Sequence, residues 1–287
     1  MRLHSPLSAL VFVTGLFGIT GCASEPETDA RKAGSEASIE ERQRIVQFWE
    51  LHRKATRLRL DARSDEAIAA YEDALRLNDS HEDALYYLAN LYLNAGRFSE
   101  ADRTLTRLTS AHPESARGFL RRGELHLCFA DPAPLDPKAA AASFQRALAL
   151  NSEETGPMLR LAQAALLQGR LDTTQSWLEA IVGTHPSSIE ANFLMGFLDW
   201  MEGDTSSARL RYRNTLDLIE ANPNDPVVGE GDRKTGGAIK PGEQPTCPLM
   251  LSLLDVPLSD EDGSQAAAAF EHADAVLRAL SAAAVDT

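Results

Sequence analysis

The chain has 287 residues, enough for one or two domains with a sizeable core. Aromatic residues make up only 6% of it, Ala and Leu recur throughout, and alternating polar and β-branched runs are scarce, which points to an all-α protein. A formal charge of −14 with no basic face excludes nucleic acid from the expected partners, because phosphate must be met by Lys and Arg.

Arg2 is the only charged side chain in the first 21 residues, and an apolar stretch runs from Leu7 to Ile19. That stretch is too short and too interrupted by Gly for a comfortable membrane span, and it has the layout of a secretory signal. It ends in Ile19-Thr20-Gly21-Cys22, which resembles the end of a bacterial lipoprotein signal. The resemblance implies removal of 1–21, acylation of Cys22 and anchorage through the acyl chains. Each buried CH₂ contributes about 0.8 kcal/mol, so several chains hold stably. By the same resemblance, Ala23 in place of an Asp implies the outer membrane, facing the periplasm. The alternatives are an ordinary signal or an uncleaved anchor with an incidental Cys. Residues 22–37 are polar, lack an apolar stripe and read as a flexible tether.

A helical extension begins near Ile39 and leads into a first hairpin, 48–81, with Leu51, Ala55 and Leu58 on its first helix and Ala67, Tyr71 and Ala74 on its second. Ser64 is the expected N-cap, with Asp65 and Glu66 in the first turn. The second hairpin begins at 82. Leu85, Leu88, Ala89 and Tyr92 fall at i, i+3, i+4 and i+7. Gly96 sits where a helix needs a left-handed exit. Ala101, Leu105 and Leu108 restart the period, and Pro113 stops it. This spacing resembles the tetratricopeptide repeat (TPR), which has a period of about 34 residues. The nine places from Leu85 to Pro113 follow its pattern of bulky and small residues. Lys54, where Leu is wanted, and Asp79, where Pro is wanted, make the first hairpin degenerate, as the end of a solenoid tolerates.

The third repeat, 116–154, has Phe119, Gly123 and Leu127 on its first helix and Ala140, Phe144 and Ala147 on its second. Five extra residues separate them, around Asp131-Pro132-Ala133-Pro134-Leu135-Asp136-Pro137, and so many prolines specify a lengthened turn. It reads as a tolerated surface insertion or as a specificity loop. The fourth repeat, 155–188, carries Met158, Leu161, Ala162, Gly169, Leu178, Ile181 and Pro186. The fifth, 189–222, carries Met195, Gly196, Gly203, Ala208 and Tyr212. Residues 223–246 are rich in Gly, Pro and charge and read as a long loop. In 247–287, Ala266, Phe270, Ala273, Leu277 and Leu280 recur at helical spacing, either as a degenerate sixth repeat or as a capping segment packed on the fifth. The expected architecture is a right-handed α-solenoid of about five TPR hairpins within 38–222, plus this C-terminal element.

No phosphate-binding Gly loop, H-E-x-x-H, G-x-S-x-G or C-x-x-C is present. His126 and Cys128 are two apart on a helix and cannot share a metal. His112 and His185 each precede a Pro and read as turn residues. No catalytic residue, metal or cofactor is therefore expected. Cys128 and Cys247 remain after lipidation and either form a disulfide or stay a buried thiol and an incidental one.

The TPR resemblance implies a partner groove along the first helices, at repeat positions 2, 5, 9 and 12. The places so identified include Tyr86, Asn90, Arg117, Leu120, Glu124, Leu159, Gln163, Phe193, Phe197 and Trp200, with Arg121 and Arg160 beside them. The alternative for Phe197 and Trp200 is that the C-terminal segment covers them. Asn90 matches a carboxylate-clamp place, but Tyr86 stands where Lys is wanted, so no clamp is inferred. The resemblance implies a non-catalytic, envelope-anchored scaffold that binds a peptide or helix of a protein partner. The competing readings are an enzyme or ligand-binding receptor with a pocket under 131–137 and 223–258, and self-association through the C-terminal helix. The oligomeric state is open.

Overall fold

The structure, a computed structural model, describes residues 27–128, 132–152, 155–221 and 265–285. The expected signal 1–21, Cys22, the loop 223–246 and Cys247 lie outside the described residues. The chain divides into two compact units, Met1–Arg44 and Ile45–Thr287, and the hairpins all lie in the second. The described residues form eleven helices: α1 (Glu27–Leu60), α2 (Ser64–Leu77), α3 (Glu82–Asn94), α4 (Phe98–Ala111), α5 (Ala116–His126), α6 (Pro137–Leu150), α7 (Thr155–Leu167), α8 (Leu171–Thr184), α9 (Ile189–Met201), α10 (Thr205–Ala221) and α11 (Gln265–Val285). They build an α-solenoid of helical hairpins.

The turn inside four of the five hairpins, all but the third, has one physical cause. Gly96, Gly169 and Gly203 take φ of 69°, 68° and 86°, and Ala62 takes the same place in the first hairpin at φ 56°. The next residue then donates its N–H five residues back: Arg63 to Leu58 at 2.9 Å, Arg97 to Tyr92 at 2.8 Å, Arg170 to Ala165 at 2.9 Å and Asp204 to Asp199 at 2.9 Å. This closes the first helix in the manner of a Schellman motif, satisfies one of its last carbonyls and starts the second helix immediately.

Three expectations are corrected. Ser64 is the first helical residue, and the cap position falls to Arg63, whose side chain instead pairs with Glu66. The left-handed turn at Ala62 sets that register. Leu127 caps the end of α5, and Pro137 is the first residue of α6, a place where its missing N–H costs nothing. Asp136 caps that helix, accepting from the N–H groups of Lys138 and Ala139, each at 3.0 Å. The helix expected from about Ile39 begins at Glu27, so most of the expected tether lies within α1. Residues 27–37 are mostly Ala, Glu, Arg and Lys with no Pro, and helix propagates through them, at some cost at Gly34, once a long helix exists.

The small residues of the repeat face inward. Ala55, Ala67, Ala89 and Ala101 are fully buried. A Cβ added to Gly123 would sit 2.5 Å from the Phe144 ring, so glycine there is what lets α6 approach α5. The core falls into two large apolar clusters and a small one of Ile189 and Ile219. One large cluster runs from Ala55 to Leu125 and Cys128; the other runs from Leu127 and Phe144 through α9 and α10 to α11.

Candidate partner-binding face

The inner face is the side of the solenoid that carries positions 2, 5, 9 and 12 of each first helix. Its two halves differ. In the first three repeats most of these positions remain half-exposed, including Tyr86, Asn90, Arg117, Leu120 and Glu124, while Leu127 is buried. In the last two, Leu159, Gln163, Leu166, Phe193 and Phe197 are buried.

In the open half, Arg117 is the central group. Its guanidinium donates to Glu82 at 2.9 Å and to Asp83 at 2.5 Å, and lies 4.7 Å from the Tyr86 ring centre. Burial works against ionisation of Glu82, but hydrogen bonds from Ser115 and Arg117 prevail and hold its carboxyl below the usual range. Arg117 does the same for Asp83. These pairs tie the third repeat to the second and hold Tyr86 at a fixed angle. Arg121 pairs with Glu124 at 2.8 Å.

In the first repeat the same counting rule yields Trp49, His52, Thr56 and Arg59, which a degenerate repeat does not announce in sequence. Trp49 is 45% exposed and meets His52 and His81 edge-on, with ring centres at 5.5 and 5.4 Å. Arg59 lies over Tyr87 at 4.2 Å, and Tyr87 stacks on Tyr71. Aromatic rings alternating with guanidinium groups thus cross three repeats. Burial pushes the imidazoles of His52 and His81 below their ordinary pKa. His81 also caps α3, its Nδ1 accepting from the Ala84 N–H at 3.3 Å, which requires that nitrogen to be unprotonated.

The closed half departs from the expected open groove. Helix α11 packs against α7, α9 and α10. Phe270 is fully buried, with its ring centre 5.5 Å from Phe193, 6.3 Å from Phe197, 6.2 Å from Trp200 and 5.8 Å from Tyr212. Phe193 and Phe197 are therefore beneath this helix and not open to a partner, and Trp200 is half-buried beside it. The cause is the apolar stripe Ala266, Ala269, Phe270, Ala273 and Leu277, all buried. Arg160 donates to the Gln163 side-chain oxygen at 2.9 Å.

Cys128 is fully buried and disulfide-bonded, and its partner lies outside the described residues. The expected site at 131–137 and 223–258 lies largely outside them too. Open clefts of about 390 and 440 Å³ run along the second helices, away from the inner face, lined by residues such as Glu72, Tyr92 and Arg103 in one and Asn192, Arg211 and Asp217 in the other. Among the described residues no group of three or more His, Cys, Asp or Glu side chains could hold a metal, and no helix is long and apolar enough to cross a membrane.

Residues 58–120 and 135–189 match family profiles described as tetratricopeptide repeat. Within those two spans the hairpins carry the tetratricopeptide-repeat pattern. No curated protein matches the sequence. Among solved structures, the TPR solenoid is similar to the crystal structure of MamA, at TM-score 0.54 and 22% identity over 59% of this chain and 96% of that one. It is similar to YrrB, described as a TPR protein with an unusual peptide-binding site, at 0.51 and 22% over 61% and 86%. It is also similar to PilW, described as a type IV pilus biogenesis factor, at 0.51 and 16% over 81% and 92%. At these identities the likeness is one of fold. The TPR profiles and the fold together support a protein-interaction role.

Proposed function

We propose that this protein is a non-catalytic scaffold of the bacterial envelope, anchored by acyl chains on Cys22, that binds an extended peptide of a protein partner along the inner face of repeats 1–3. The observation that carries the binding reading is the half-exposed strip of Trp49, Arg59, Tyr86, Asn90 and Arg117, pre-ordered by ring and ion-pair contacts. Exposed aromatic and Arg side chains supply most of the energy at protein interfaces, and side chains already held in place lose little entropy on binding. A peptide-binding TPR protein and a pilus biogenesis factor among the similar folds support the same reading by analogy. Tethering such a surface to a membrane raises the effective concentration of partners there.

The test is to select peptides against the mature chain by display and measure their affinity. Tyr86→Ala and Arg117→Ala should each weaken a selected peptide about tenfold or more. Peptides indifferent to both changes sink the assignment. For the anchor, an alkyne-tagged palmitate should label the wild type and not Cys22→Ser; equal labelling rules it out.

A further inference from the structure

A sixth hairpin stacked in phase would lay its first helix along α10, as α5 lies along α4 and α9 along α8. Helix α11 touches α10 but also lies on α9 and reaches back to α7. It lies on the inner-face positions of repeats 4 and 5, in the manner of a bound helix. Its stripe of Ala266, Ala269, Phe270, Ala273 and Leu277 faces in, while Ala267, Ala268, Glu271 and Arg278 stay exposed. Gly196 makes room for the anchor: a Cβ there would come within 3.0 Å of the Phe270 ring. The helix is joined to α10 by residues 222–264, a stretch of 43 residues rich in Gly and Pro. Joined in one chain, helix and groove meet at an effective concentration on the order of 1 mM, so an intrinsic dissociation constant of about 10 μM would keep the helix docked about 99% of the time.

On α7, which α11 contacts, one buried polar group lacks a partner. Gln163 is fully buried, and its amide orientation is set by Arg160 donating to the side-chain oxygen. Its Nε2 has no hydrogen-bond partner. A buried donor left without an acceptor costs stability, and an occupant of this face that reached it with an acceptor would recover that cost.

We propose that α11 is an exchangeable internal ligand of the inner face of repeats 4 and 5, and that the incoming partner is an amphipathic helix of the same small–aromatic–small pattern carrying one hydrogen-bond acceptor for Gln163. This rests on the reading of the inner face as the interaction surface, but on the half of it that the peptide reading does not use. Release of α11 would extend the accessible inner face from three repeats to five.

The experiment uses the full mature chain and a fluorescent peptide of residues 265–285. Phe270→Asp removes the anchor from the resident helix and leaves the groove intact. That variant should bind the peptide about 100-fold more tightly than the wild type, whose groove is filled. A peptide carrying Phe270→Ala should fail to compete. Equal binding to both chains, or binding to neither, overturns the proposal and makes α11 a fixed part of the fold. Hydrogen exchange on the wild type gives an answer should the variant unfold: α11 amides should exchange about tenfold faster than those of α9, and exchange of the two as one unit overturns it. Gln163→Leu should slow α11 exchange by about tenfold, since the unpaired donor is gone; faster exchange removes the acceptor from the proposal. Tyr86→Ala should leave the 265–285 peptide unaffected, so the two inner-face readings fail separately.

Discussion

Ala62 holds φ at 56°, a value taken by glycine at the same place in three other hairpins. An L-residue pays about 1–2 kcal/mol there, while glycine costs about 0.5–1 kcal/mol more in unfolded-chain entropy. Ala62 is exposed and loses no packing. Ala62→Gly should therefore stabilise by about 0.5–1 kcal/mol, read as a higher urea midpoint at unchanged m-value. Histidines set a second prediction. His52, His81 and His126 have pKa values lowered first by burial, so their folded forms resist protonation. Their contribution is whole above the ordinary value of 6.5 and is lost as pH falls below it, because the unfolded chain takes up the proton first. His112 has a raised pKa, chiefly through its 2.5 Å bond to the Ser80 carbonyl, and contributes stability below 6.5 that fades as pH rises. Three groups oppose one, so the melting temperature should fall between pH 7.5 and 5.5. His81→Asn keeps a capping acceptor without a titrating ring and should flatten that fall; an unchanged slope would place its origin elsewhere.

At the scale of elements, the α5–α6 pair is governed by the fit of Phe144 against Gly123. Alanine in a helix interior is intrinsically better than glycine by about 1 kcal/mol. Here that gain is overridden, because three atoms of a fully buried ring lie within 2.7 Å of the new Cβ. Gly123→Ala should cost about 1–2 kcal/mol net. In a Phe144→Leu background the same change should cost at least about 1 kcal/mol less, a coupling that a double-mutant cycle measures. This pair also shows what could be read in advance. Gly123, Ala89 and Ala101 stood at in-phase small positions, and each is where two helices touch. Phase depends on side-chain size, which a sequence states directly. Helix ends depend on backbone geometry, which it states less well. Gly96 announced its turn, but Ala62 gave no sign of a left-handed conformation, and the cap at Arg63 came with it. The docking of α11 was least legible, since the long connector 222–264 imposes no register. Its stripe pointed to packing on the fifth repeat, which Phe270 meets at Phe193, Phe197 and Tyr212, but not to the reach back to α7, and the open groove expected at Phe193 and Phe197 gave way to the alternative that this segment covers it.

At the scale of the whole hairpin array, the two large apolar clusters meet at the third repeat, and the reason lies in α5. Its sequence, ARGFLRRGELH, spends two places on Gly and three on Arg, leaving little apolar surface to join the second repeat to the fourth. The insertion at 127–136 interrupts the same repeat. Disulfide-bonded Cys128 sits at this seam, in the N-terminal cluster. Pairing with Cys247, which we propose, would fasten the seam to the segment leading into α11; peptide mapping without reductant should recover that pair. Repeat arrays unfold in parts when one interface between neighbours is weak. Leu105→Ala in the first cluster and Ile181→Ala in the second should each cost about 2–5 kcal/mol. The loss should stay local: hydrogen exchange should quicken in α2–α4 for the first and in α7–α10 for the second, with separate urea transitions under reducing conditions. Were either substitution to quicken exchange equally throughout, the array would be one cooperative unit, and release of α11 could not be confined to its C-terminal half.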